Sequence, residues 1–192
     1  MKTKTEVLTG TAILSALVVV LTLLGNVIHV GPFSITLSLV PIIIGAAVYG
    51  TGTGAMLGLI FGLVVMISGI AGWDGGATMV LLSQNAFATV FGCIAKGVLA
   101  GWISALVYKA LEKKQPKTAV IVSGIVCPIV NSGVFVLIMI TFFMSTLEAW
   151  AGGQKILYYV LFVMTGLNFL IELAINVALA SAITTIIIQV RK

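Results

Sequence analysis

The sequence predicts an all-α, polytopic membrane protein, and three observations predict it. Hydrophobic residues fill 60% of the 192 positions and charged residues only 8%, with a mean hydropathy of +1.26. A soluble domain carries roughly 25% charged residues, and burial in one core cannot account for so few, so lipid must solvate much of the surface. The apolar residues also fall into long runs, and a helix needs about 20 such residues to cross a bilayer. Finally, the basic residues gather at the ends of those runs. The expectation is six transmembrane helices with both termini cytoplasmic, forming a single multi-pass membrane domain over residues 1–192.

The first run, residues 7–25, follows Lys2 and Lys4 and resembles a signal peptide. It is longer than a usual signal core, and Asn26-Val-Ile-His follows it instead of an Ala-x-Ala cleavage pattern, so it reads as a retained span. The second and third spans, about 34–49 and 53–70, are separated by Gly50-Thr-Gly-Thr-Gly54. One continuous helix would be too long for a single crossing, so a tight turn is expected there. The fourth, fifth and sixth spans cover about 77–110, 118–146 and 155–190. At ~1.5 Å per residue these exceed the ~30 Å hydrocarbon core and must tilt, bend or protrude.

Alternating the loops places Lys2, Lys4, Lys109, Lys113, Lys114, Lys117, Arg191 and Lys192 on one side, against Lys155 on the other. Basic loops stay in the cytoplasm, so both termini and the 113–117 loop belong there. Asp74 and Glu148 fall outside. The net charge of +5 therefore reports topology, not nucleic-acid binding. Cys93 and Cys127 lie in apolar runs and read as buried thiols. With no CxxC and no Cys/His cluster, neither a metal nor a cofactor is implied.

Gly50, Gly54, Gly58 and Gly62 recur every fourth residue and share one helix face. Gly97, Gly101 and Ala105 repeat the pattern on span 4. Such stripes let helix backbones approach closely in lipid. Gly50-x-Gly52-x-Gly54 is no phosphate loop, because no Lys-Ser/Thr follows it and no strand precedes it. On span 1, Ala12 and Ala16 sit with Thr9, Gly10 and Ser15 in a small-residue segment, which serves either internal packing or docking of another membrane subunit.

Two ionisable residues fall at mid-membrane, where each costs roughly 2.5–3.5 kcal/mol on insertion scales and is a functional candidate by default. They are Lys96 on span 4 and Glu172 on span 6. Their depths match, which invites a salt bridge, with direct ligand contact as the alternative. Asn131 on span 5 lies at a similar depth. Asn168, Glu172 and Asn176 form a stripe that must face inward. Gln84 and Asn85 lie nearer the outside, as do the loops carrying His29, Phe33, Trp73, Asp74 and Trp150. Trp73 and Trp150 suit either an interfacial aromatic belt or a lid, and Gly72, Gly75 and Gly76 would let the Trp73 loop move. The candidate substrate-binding set is Asn131, Trp73, Asn85, Gln84, Lys96, Asn168 and Glu172. Catalysis is not expected, for there is no Ser/His pair, no HExxH and no acidic pair within a span. A stand-alone facilitator or channel would need a continuous polar path, which spans 1 to 3 barely offer.

Taken together, the motifs resemble the S components of energy-coupling factor (ECF) transporters. The resemblance rests on Ala12-Ile-Leu-Ser-Ala16, on Pro41-Ile-Ile-Ile-Gly-Ala-Ala-Val-Tyr-Gly50 and on the glycine run through Gly62. Lys96-Gly97 with Ala100-Gly101, Pro128-Ile-Val-Asn131 and Glu172-Leu-Ala-Ile-Asn176 complete it. One departure is Gly50-Thr51, where the family's turn usually reads Gly-Pro. The resemblance implies a six-helix, non-enzymatic subunit that captures a vitamin outside the cell. It also implies partners, a membrane-embedded T component and two ATPase subunits, with Ala12 and Ala16 contacting the T component. The 33–69 stretch and the Asn131 context look most like the pantothenate-type subfamily. Riboflavin, folate or cobalamin are the alternative vitamins.

Overall fold

A computed structural model describes residues 3–26, 29–30, 33–34 and 36–191, with the side chains at 29–30, 33–34, 167–168, 181, 188 and 190–191 left undescribed. The architecture is a helix bundle: α1 (Lys4–Gly25), β1 (His29–Val30), β2 (Phe33–Ser34), α2 (Leu39–Tyr49), α3 (Thr51–Ile70), α4 (Ala77–Leu111), α5 (Pro116–Phe142), α6 (Met144–Ala151), α7 (Ile156–Tyr158), a π-helical segment (Tyr159–Met164) and α8 (Gly166–Arg191).

Helix α1 starts ahead of its apolar run because a capping box extends it. The Glu6 amide donates to Thr3 Oγ1 (3.2 Å) and the Thr3 amide to Glu6 Oε2 (2.8 Å), which satisfies donors that a helix start leaves free. The turn between α2 and α3 is as tight as expected. Gly50 takes φ 97° and ψ −175°, a conformation that side-chain-bearing residues avoid.

The second span departs from expectation. Its helix begins only at Leu39 and has 11 residues, or about 16 Å at 1.5 Å per residue. Upstream, β1 and β2 pair antiparallel, His29 with Ser34 and Val30 with Phe33. Hydropathy counts apolar residues and does not say which of them are helical. The described residues thus contain five helices long and apolar enough to cross a membrane, with α2 as a shorter apolar helix.

Helices α3 and α4 pack backbone to backbone. A Cβ on Gly58 would strike the Gly97 carbonyl, and one on Gly62 the Cys93 carbonyl. This is the close approach that the glycine stripes foretold. Helix α4 breaks at Asn85 (φ −151°, ψ 90°). There the Asn85 side chain accepts the Ala88 amide (3.0 Å), and Thr89 Oγ1 donates to the Asn85 carbonyl (2.9 Å). Asn85 therefore acts as an N-cap inside the span. In α5, Pro128 has no N–H for the carbonyl four residues earlier, at Gly124. Asn176 Nδ2 on α8 donates to that carbonyl (3.2 Å), and Ser123 Oγ of α5 donates to the Ser104 carbonyl of α4 (3.0 Å). In lipid, where water cannot satisfy such groups, these bonds fix the α4–α5–α8 arrangement.

The core divides in two. One cluster joins Leu14, Val18, Ile42, Ile43, Leu57, Phe61, Tyr108 and Ile183; the other joins Leu81, Ile138, Met139, Phe143, Leu147, Val160 and Met164. Outside, large apolar side chains such as Leu8, Ile13, Phe87, Leu137 and Phe162 are exposed all along the helices. So much exposed apolar surface suits acyl chains, not water.

Candidate functional site

Between the two core clusters lies a cavity of about 160 Å³. It sits at the end of the bundle where α1, α3 and α5 finish and α4 and α8 begin. Its walls are mixed: apolar residues from both clusters, and polar groups from α1, α3, α4, α5 and α8.

Lys96 supplies the cation. Its neighbour Gly97 packs on Gly58, which turns the adjoining face of α4 toward the cavity. Lys96 Nζ lies 5.8 Å from the centroid of Phe61 and 5.2 Å from that of Phe135. The two ring faces stabilise the ammonium by cation–π attraction without neutralising it.

Glu172 supplies the anion. It is buried (5% exposed), and its Oε1 accepts the Thr36 amide at 3.1 Å. Its Oε2 has no partner, nor do Oδ1 of the buried Asn131 and Nδ2 of Asn26. All three residues line the same cavity. A buried polar group without a partner costs about 1–3 kcal/mol, more if charged. The salt bridge that equal depth invited is not formed: Lys96 rests between aromatic rings while Glu172 turns to the Thr36 backbone. Depth along a span says nothing about the direction in which a side chain leaves its helix.

The structure therefore brings Asn131, Lys96 and Glu172 together. Trp73, Gln84 and Asn85 are outside the cavity lining. Trp73 is 51% exposed on the α3–α4 turn, Gln84 accepts a hydrogen bond from Thr146 of α6, and Asn85 caps the inner part of α4. The side chains of Asn168, His29 and Phe33 lie outside the described residues. Trp150, at the end of α6, does line the cavity, as does Asp74. The Asp74 carboxylate accepts the amides of Gly76 (3.1 Å) and Thr78 (2.9 Å) and so holds the start of α4. Ala12 and Ala16 are both exposed on α1, away from the core.

Several lining residues escaped the sequence reading, among them Phe61, Phe135, Thr36 and Ser68. Phe135 was within reach, because it follows Asn131 by four residues and shares its helix face. Phe61 sits inside the glycine run, beside the stripe that Gly58 and Gly62 continue. Thr36 meets Glu172 through its backbone amide, a group every residue but proline carries, so its type alone does not single it out. Among the described residues no three His, Cys, Asp or Glu side chains are grouped to hold a metal.

A lipid-facing helix bundle that holds a small cavity with unpaired polar groups defines a membrane protein built to bind a small molecule. Residues 6–184 match the family model described as the ECF transporter, substrate-specific component. The match spans nearly the whole chain, and the chain belongs to that family: it is the substrate-binding subunit of a membrane transporter, and the family is not an enzyme family. No curated protein matches it.

Proposed function

We propose that this chain captures pantothenate, or a closely similar small hydroxy acid, with high affinity from outside the cell. One observation carries the reading: a half-buried cation, Lys96, shares one cavity with the buried, unpartnered acceptors of Asn131 and Glu172. Pantothenate is a short chain with a carboxylate at one end, hydroxyls at the other and an amide between. The carboxylate suits Lys96, the hydroxyls and amide suit the acceptors, and its methyl groups suit the apolar walls. Small-molecule sites are commonly built this way, with few polar groups in an apolar cleft.

Six crossings with cytoplasmic termini remain the best account of the topology. The unequal distribution of lysine and arginine supports it, and so does the turn at Gly50, which sends α3 back along α2. The outer part of the second crossing would then be the non-helical segment before Leu39, which lipid tolerates only where protein surrounds it. The site would face outward, and the exposed small face at Ala12 and Ala16 would dock the T component, with two ATPase subunits powering uptake.

Titration calorimetry on detergent-purified protein with a vitamin panel tests the substrate. Pantothenate should bind, and Asn131→Ala should weaken it about tenfold, since ~1.4 kcal/mol is a factor of ten and hydrogen bonds to charged ligands are worth roughly 1.5–3 kcal/mol. Tight binding of riboflavin, folate or cobalamin with no pantothenate binding would discard the substrate and leave the family standing.

A further inference from the structure

We infer that Glu172 is the specificity-determining residue of this cavity, and that it demands a hydrogen-bond donor on the ligand: a hydroxyl or N–H that ends on its free Oε2. The inference rests on the reading of the cavity as the substrate site, but not on pantothenate as the substrate.

The two carboxylate oxygens of Glu172 are not equivalent. Oε1 is held by the Thr36 backbone amide at 3.1 Å. That bond engages Oε1 and leaves Oε2 as the oxygen without a partner. Glu172 is 5% exposed, and Oε2 is buried without a partner. Lys96, the lining residue of opposite charge, does not reach it and is held between Phe61 and Phe135. A carboxylate oxygen only accepts. In a low-dielectric site an unmade bond to it is expensive, and a site built around such a group strongly rejects ligands that leave it unpaired. Asn131 cannot set the same rule. Its amide offers both a donor and an acceptor, and rotation about its last bond exchanges them. Lys96 reads the acidic end of the ligand, and Glu172 reads the opposite character.

A single substitution inverts the requirement. In Glu172→Gln the side-chain carbonyl must still meet the Thr36 amide, so the new NH₂ group takes the place of Oε2. An acceptor becomes a donor at unchanged shape. The variant should favour ligands that present an ether or carbonyl oxygen there.

The experiment measures Kd for pairs of small acids that differ only in a donor: pantothenate against its methyl ethers, each hydroxyl capped in turn, and hydroxy and amino acids against their capped forms. Each pair is tested on wild type and on Glu172→Gln. In wild type one capped position should cost about 10- to 100-fold in affinity. In Glu172→Gln that ratio should fall to near one or reverse. Thermal unfolding without ligand gives a second readout: relieving an unpaired buried charge should leave Glu172→Gln at least as stable as wild type, whereas a purely structural carboxylate would lose stability when changed. Pantothenate that binds wild type with every cap tolerated, or a ratio that persists in Glu172→Gln, overturns the inference while the substrate reading stands. A different acid showing the donor requirement, with pantothenate silent, overturns the substrate and upholds the inference. Binding by none of the acids overturns both.

Discussion

Replacing Gly54 by alanine should force α3 and α4 apart, and the amount follows from the geometry. A Cβ at Gly54 would lie 2.6 Å from the Gly101 carbonyl oxygen and 3.0 Å from Ala46 Cβ, whereas ordinary contact begins at 3.4 Å. The helices must therefore separate locally by about 0.8 Å. The obstacle is backbone and cannot rotate away. Overpacking of this kind costs about 1–3 kcal/mol, or about 2–12 °C in unfolding temperature for a chain of this length. Alanine's better helix propensity offsets at most about 1 kcal/mol. The control is Gly133→Ala on α5, where nothing stands within 4 Å of the added Cβ, and where propensity alone should act. At Gly58 the Cβ meets the Gly97 carbonyl, beside Lys96 and near Phe61. Gly58→Ala should therefore lower ligand affinity as well as stability. Thermal unfolding in detergent, with calorimetric binding, measures both. Gly54→Ala and Gly58→Ala proteins as stable as Gly133→Ala would refute the claim that direct backbone contact holds α3 to α4.

Other consequences are as specific. Ala12→Leu and Ala16→Leu change exposed residues remote from the cavity, so ligand binding to the purified protein should persist while uptake fails in cells that express the T component and ATPases; normal uptake by both would end the docking assignment. Trp150 lines the cavity while Trp73 does not, so the ligand-dependent change in tryptophan fluorescence should vanish in Trp150→Phe and survive in Trp73→Phe. The opposite pattern would mean that the α3–α4 turn closes over the ligand. Asn85→Ala removes the cap on the inner part of α4 and should lower stability by about 1 kcal/mol, read as a shift in unfolding temperature; no shift would mean that the break in α4 does not depend on that bond.

The sequence by itself determined the solvent of this protein, and much else follows from that. Near-absence of charge within the apolar runs demands lipid, and lipid demands helices, because no other open structure satisfies its own backbone there. The i, i+4 glycines at 54, 58 and 62 needed no partner in view to be read as a contact face, since helical periodicity alone puts them on one side. Lys96, Asn131 and Glu172 stood out because a polar side chain at mid-span is too costly to be incidental. What the sequence could not determine is direction. Lys96 and Glu172 share a depth, yet whether they meet depends on helix rotation, and rotation is set by packing: Gly97 against Gly58, and Asn176 on the carbonyl that Pro128 leaves free. The same packing turns Trp150 to the cavity and leaves Trp73 half exposed, although both are loop tryptophans in the sequence. It also recruits Thr36, whose backbone amide meets a carboxylate 136 residues away. One-dimensional patterns report which faces are alike, whereas a binding site is made where unlike faces of different helices converge, and only their packing in three dimensions decides which ones do.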